Sequence, residues 1–145
     1  MPSFVPKVIS PTLLMMMILL ARMITVVVKS DFDGDYEYAW CSGDEKIDYS
    51  ANELAAKEWT LQKARYGAAA VRRGLKQHCE CSPADEVTGT FWCAYAFCTS
   101  SLSGNDCRRC TDHAEKFLWP ACDGLDGGQW ALKDCFLRYE THPFC

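Results

Sequence analysis

The chain has 145 residues, with 15 Lys and Arg against 19 Asp and Glu, a formal net charge of −4, and ten cysteines. This length suits one domain and is too short for two ordinary ones. The acidic balance argues against a nucleic-acid-binding protein, which needs basic charge to displace counterions from phosphates.

Residues 1–30 are predicted to form a secretory signal peptide that is cleaved. Lys7 is followed by an apolar run over residues 13–20, and no acidic residue precedes Asp31. An uncleaved membrane anchor is the alternative, but Arg22 interrupts the apolar segment before it reaches the ~18–20 residues that span a bilayer. The predicted mature domain, residues 31–145, has 12 basic and 19 acidic residues. Its net charge of −7 argues against attraction to anionic membranes.

All ten cysteines lie in residues 31–145, and this density in a secreted chain predicts disulfides. The even count allows five bridges. A zinc site is the alternative, because a short cluster and a C-x2-C pair could supply four ligands from His78, Cys79, Cys81, Cys107 and Cys110. An oxidising compartment disfavours it, and neither a metal nor another cofactor is expected.

The first predicted elements are a strand over residues 36–41 and a helix that begins after Ser50. Glu53, three residues beyond Ser50, completes a capping-box signature, and Gly67 marks the predicted end of the helix. One apolar stripe holds Leu54, Leu61 and Ala64, and an adjoining stripe holds Ala55, Trp59 and Tyr66. Both stripes are predicted to pack on a sheet.

Residues 68–81 give no clear pattern. They contain the most basic part of the mature domain, Arg72, Arg73 and Lys76, for which solvated charges are favoured over a ligand-binding face. Residues 82–86 predict a turn. Residues 88–98 predict an interior strand, because both of its faces are apolar.

A second helix is predicted to begin after Ser103, with Asp106 as its capping partner, and to end at Pro120. Residues 129–140 predict a last strand. The sum is one α+β domain in which two helices pack on one face of an antiparallel sheet.

The cysteine pattern resembles the plant stress-antifungal domain. The run Cys98-x8-Cys107-x2-Cys110 is followed by Cys122 and by the ending Cys135-Phe-Leu-Arg-Tyr-Glu. Similar patterns occur in ginkbilobin-type seed proteins, cysteine-rich repeat secretory proteins and cysteine-rich receptor-like kinases. The resemblance implies two helices on a five-stranded antiparallel sheet. It also implies three bridges: Cys41–Cys122, Cys98–Cys107 and Cys110–Cys135.

Four cysteines, Cys79, Cys81, Cys93 and Cys145, are additional to that pattern. They predict two further bridges. Cys81 with Cys93 would suit a directly opposed cross-strand pair, leaving Cys79 to join Cys145. The reverse assignment, in which Cys79 takes Cys93, stays open.

No hydrolase, zinc-protease or phosphate-loop motif surrounds the three histidines, so the chain is not expected to be an enzyme. The resemblance implies a mannose site at Ser42, Gln129 and Glu140, where ginkbilobin-type members carry Asn, Arg and Glu. Only Glu140 matches. The expectation is a secreted, apoplastic defence protein that binds mannose-type glycans and acts against fungi. The alternative is an apoplastic protein-interaction module that has lost the sugar site.

Overall fold

The computed structural model describes residues 38–43 and 47–145. The predicted signal peptide, residues 1–30, lies outside the described residues, as does the start of the predicted first strand.

A single five-stranded sheet and two helices account for the regular structure. The elements in chain order are β1 (Tyr38–Ser42), α1 (Ala51–Ala70), β2 (Lys76–Cys81), β3 (Cys93–Cys98), α2 (Gly104–Ala121), β4 (Gly127–Ala131) and β5 (Cys135–Glu140). The strand order is β1-β4-β5-β3-β2, and every neighbouring pair is antiparallel. Helix α1 contacts β2 and β3, while α2 contacts β4 and β5. The predicted α+β fold is confirmed.

The single strand predicted over residues 129–140 is wrong, because this segment contains a hairpin. The N–H of Leu132 donates to the carbonyl of Cys135 at 2.9 Å and closes a turn over Lys133 and Asp134. Lys133 and Asp134 interrupt the apolar pattern at this turn. The turn places β4 and β5 side by side. The unassigned residues 68–81 likewise contain the edge strand β2.

Helix α1 begins where the capping box predicts and ends later than predicted. The Ser50 hydroxyl accepts from the Glu53 N–H at 3.2 Å, and the Glu53 carboxylate accepts from the Ser50 N–H at 2.8 Å. Gly67 lies within the helix, which continues to Ala70. A Cβ at residue 67 would overlap the ring of His78 on β2. Gly67 therefore permits close packing of the helix on the sheet and does not end the helix.

The predicted second apolar stripe of α1 is also wrong. Trp59 is 41% exposed and Tyr66 is 47% exposed, and Leu54 of the first predicted stripe is 37% exposed. The buried face instead includes Lys57 and Thr60, together with Leu61, Ala64 and Ala68. The Thr60 hydroxyl donates to the Ala56 carbonyl at 2.7 Å, so its burial leaves no orphan donor. Because the helix face was predicted from apolar residues alone, buried polar residues such as Lys57 and Thr60 were not assigned to it, and the predicted face was wrong.

Five disulfides connect the layers. The bonded pairs are Cys41–Cys122, Cys98–Cys107, Cys110–Cys135, Cys81–Cys93 and Cys79–Cys145. The first three join α2, or the residue directly after it, to β1, β3 and β5. Cys81–Cys93 joins β2 to β3, and Cys79–Cys145 joins β2 to residue 145. The Cys81 and Cys93 Cα atoms are 4.0 Å apart, as in a directly opposed pair that shares no backbone hydrogen bonds. Every cysteine of the alternative zinc site is thus bonded to another sulfur.

The Glu53 carboxylate of the capping box is expected to make the stability of the fold depend on pH in the acid range. The Glu53 carboxylate also accepts from the Thr88 hydroxyl at 2.8 Å, joining α1 to the loop before β3. The Ser50 N–H, the Thr88 hydroxyl and the Ser50 hydroxyl together lower the pKa of Glu53 to about 2. Because the folded-state pKa is depressed, the stabilisation is present above pH 4.5 and is lost as pH falls towards 2. We expect Glu53→Gln to remove this component of acid unfolding, measured by circular dichroism, while the exposed-site control Glu58→Gln retains it.

Candidate functional site

Both helices lie on one side of the sheet, so the other side, here called the open face, carries no helix. Strand register places its side chains in three rows that run across the sheet. The first row is Ser42, Gly127, Glu140, Cys93 and Cys81; the second is Trp40, Gln129, Arg138, Tyr95 and Cys79; the third is Tyr38, Ala131, Phe136, Phe97 and Gln77. The predicted residues Ser42, Gln129 and Glu140 therefore share one face and lie in two adjoining rows.

Glu140 is buried, and its carboxylate is engaged within the protein. The side chain is 2% exposed. One oxygen accepts from the Ser42 hydroxyl at 2.6 Å, and the other accepts from Arg138 Nε at 3.3 Å. Gly127 lies between them in the row, and a Cβ there would overlap both the carboxylate and the Ser42 hydroxyl. Glu140 is therefore buried and hydrogen-bonded within the protein, while Ser42 is half-buried and donates its hydroxyl to that carboxylate.

Arg138 is a neighbour of the three predicted residues that the family pattern did not single out. It pairs across the strands with Gln129, and its side chain is 30% exposed. Only its Nε–H is directed to Glu140, and a guanidinium carries five donors, so donors remain for a ligand. Its position two residues before Glu140 on a strand was the available signal, since residues i and i+2 share a face.

Aromatic rings flank this polar pair on both sides. Trp40 pairs with Gln129 on β1 and is 37% exposed. The ring of Phe144 lies 4.4 Å from the Arg138 guanidinium carbon. Row two thus presents, from the β1 edge inward, an exposed indole, an amide and a guanidinium, and the ring of Phe144, from the C-terminal residues, lies against that guanidinium. Planar polar groups beside an exposed aromatic are suited to binding a ligand that has hydroxyls and an apolar ring face.

Two further observations apply to residues 38–43 and 47–145. Within these ranges no cluster of three or more His, Cys, Asp or Glu side chains is arranged to hold a metal ion. No helix there is long and apolar enough to cross a membrane.

Two helices on one side of a five-stranded antiparallel sheet, stapled at Cys98-x8-Cys107-x2-Cys110, define a cysteine-rich α+β module. The profile of the salt stress response/antifungal family matches residues 41–142. The chain belongs to this family, which confirms the resemblance drawn from its cysteines.

Curated relatives share about a third of the chain. An antimicrobial ginkbilobin-2-like protein of Castanea crenata is 47% identical over 49 residues, 34% of this chain and 20% of that protein. An antifungal ginkbilobin-like protein of Picea abies is 39% identical over 49 residues, 34% of this chain and 45% of that protein. Cysteine-rich receptor-like protein kinase 27 of Arabidopsis thaliana is 41% identical over 58 residues, 40% of this chain and 9% of that protein. The matches thus span less than half the length of each relative.

Solved structures show the same fold. The tandem DUF26 ectodomain of the Arabidopsis thaliana cysteine-rich receptor-like protein PDLP5 matches with a TM-score of 0.61 and 21% identity, over 74% of this chain and 50% of that one. The corresponding ectodomain of PDLP8 matches with a TM-score of 0.62 and 21% identity, over 74% of this chain and 49% of that one.

Proposed function

We propose that this chain is a secreted defence-type protein that binds mannose-type glycans through its open face and acts against fungi. The main support for glycan binding is that Gln129 and Arg138 are neighbours on the open face, beside the exposed ring of Trp40. The predicted signal peptide and the five disulfides support export to an oxidising compartment, the apoplast. The names of the Castanea and Picea relatives support a defence role.

Gln129 and Arg138 together supply the chemistry that a sugar requires. Vicinal hydroxyls are held in pairs by planar side chains that donate and accept at two atoms. Gln129 lacks the charge of the arginine found at this position in ginkbilobin-type members. Arg138 provides a guanidinium on the neighbouring strand, about 5 Å away, which is the ordinary spacing of strands. Trp40 offers an apolar surface against which a pyranose ring stacks.

Ser42 and Glu140 act as positioning residues in this proposal. Their mutual hydrogen bond and the Arg138–Glu140 contact fix the guanidinium without touching the ligand. Because the carboxylate is buried, removing Arg138 would leave its charge uncompensated, which costs more than breaking a surface ion pair.

A glycan array probed with disulfide-intact mature protein tests the proposal. We expect saturable binding to mannose-type glycans and a roughly 10- to 100-fold loss of affinity in Arg138→Leu, the cost of one hydrogen bond from a charged group. Arg73→Leu removes an exposed arginine from the loop before β2 and serves as the matched control. Equal affinity of the two variants would exclude Arg138 from the site.

A second candidate function, an apoplastic protein-interaction module, is favoured by one observation. Tyr38 and Trp40 are 48% and 37% exposed on the open face, while the Glu140 carboxylate is occupied within the protein. Exposed aromatics are enriched in protein interfaces. Failure of the correctly oxidised wild-type protein to bind any mannose-type glycan would favour this function.

A further inference from the structure

The last five residues, 141–145, cross the open face. They leave β5 after Glu140, and Cys145 is bonded to Cys79 on the edge strand β2. Cys79 lies in row two, separated from Arg138 only by Tyr95. Residues 141–145, here called the C-terminal strap, therefore lie over the β5, β3 and β2 side of that row and leave its β1 and β4 side uncovered.

Two side chains of the strap meet the residues assigned to the site. The Phe144 ring lies 4.4 Å from the guanidinium carbon of Arg138. His142 Nδ1 lies 4.0 Å from a carboxylate oxygen of Glu140. Stacking on the ring restricts the plane of the guanidinium, while the bond from Arg138 Nε to Glu140 restricts its rotation within that plane.

The anchor of the strap is additional to the six-cysteine framework. Cys79 and Cys145 close a bridge between positions 66 residues apart, and the fold layers are already joined by the three framework bridges. The Cys79–Cys145 bridge holds a short exposed terminus, and chain ends are ordinarily poorly ordered unless they are tied down. What it adds is the placement of Phe144 over Arg138.

We propose that the C-terminal strap is a specificity-determining part of the glycan site, with Phe144 as the wall opposite Trp40 and Cys79–Cys145 as its anchor. This inference rests on the proposed function. Trp40 and Arg138 lie two strand spacings apart, about 10 Å between their backbones, with Gln129 between them, so a ligand held by all three would be about one pyranose ring wide. The ligand class is therefore a single hexopyranose or the terminal residue of a glycan chain, entering from the uncovered β1 side.

The strap is tested by removing its anchor and its ring separately. Cys79→Ser/Cys145→Ser and Phe144→Ala are both expected to weaken glycan binding about 2- to 12-fold, the cost of ordering one flexible side chain on binding. Leu75→Ala, which trims a 60% exposed side chain in the loop before β2, is the matched control and should bind as the wild type does. Unchanged affinity in both strap variants, with circular dichroism showing a folded protein, would overturn the proposal.

A second measurement needs no glycan. Phenylglyoxal modifies accessible guanidiniums, and mass spectrometry of digested protein reports its rate at each arginine. We expect the rate at Arg138 to rise several-fold in both strap variants, while the rate at the exposed Arg73 does not change. If the wild type binds no glycan but the modification rate at Arg138 rises in both strap variants, the proposed function is wrong. The conclusion that the C-terminal strap covers Arg138 is then still supported. If Arg138 reacts equally in all variants, the strap proposal fails whatever the glycan result.

Discussion

Replacing Cys41 and Cys122 together by Ala is expected to lower the free energy of unfolding by about 4–5 kcal/mol. This bridge joins positions 81 residues apart, the longest loop among the five disulfides. Closing a long loop removes the most conformational entropy from the unfolded chain. Small domains have only about 5–15 kcal/mol of stability, so this double variant should lose between about a third and nearly all of it. Chemical denaturation followed by tryptophan fluorescence measures the effect.

The Cys98–Cys107 bridge provides the matched control for loop length. It joins positions only nine residues apart, and both sulfurs are buried. The same entropic relation gives about 2–3 kcal/mol for this pair. Equal losses for the two double variants would show that local strain or packing, and not loop closure, decides the contribution of the bridges.

A pronounced rise in stability between pH 7 and pH 10 is the second large expected effect, and Lys57 is its source. Lys57 is 2% exposed, and its ammonium lies 4.0 Å from the ring centre of Tyr139, 4.4 Å from Trp119 and 5.1 Å from Trp92. Burial lowers its pKa from 10.5 to about 8, and the carboxylates of Asp123 and Glu115 act in the opposite direction.

The sign follows from proton counting. Between pH 8 and pH 10.5 the unfolded chain binds more protons at Lys57 than the folded protein does, so stability rises with pH across this window. The gain between pH 7 and pH 10 is about 2–3 kcal/mol. Above pH 10 the trend reverses, because burial raises the pKa of Tyr49 and Tyr139 above that of a free tyrosine and their folded forms retain the proton.

Lys57→Met is expected to flatten the profile, since it keeps the side-chain length and removes the titrating group. Lys63→Met, at an exposed position of the same helix, is the control and should leave the rise intact. Urea denaturation at pH 7, 8, 9 and 10 gives the four free energies for each protein. A wild-type profile that is flat over this range would show that the aromatic rings stabilise the ammonium as well as water does.

Local signals in the sequence located most of the fold. Ser50 and Ser103 each accept from the N–H three residues on, so both helix starts follow from capping chemistry that acts within one turn. The errors arose where tertiary contacts prevailed. Gly67 lies within α1 with no room for a Cβ beside the ring of His78, and the buried face of α1 holds Lys57 while Trp59 is exposed. Neither arrangement can be predicted from the spacing of apolar residues in the sequence.

The residues of the proposed site came from the family resemblance, and the predicted strand pattern did not bring them together. A single strand over residues 129–140 would put Gln129 and Glu140, an odd number of residues apart, on opposite faces. The hairpin between β4 and β5 is what places both on the same face as Ser42. The burial of Glu140 depends on the glycine opposite it, and the role of Arg138 depends on register and on a terminus that returns across the sheet. These are properties of the assembled sheet, and spacing within one strand does not encode them.

Calorimetric titration of a mannose-type oligosaccharide into disulfide-intact mature protein tests the central claim most directly. The wild type and Arg73→Leu should bind with the same Kd, and Arg138→Leu should bind roughly 10- to 100-fold more weakly because it loses a hydrogen bond from a charged group. Binding by the wild type that is unchanged in Arg138→Leu, or no binding by the wild type at all, would contradict a glycan site on the open face.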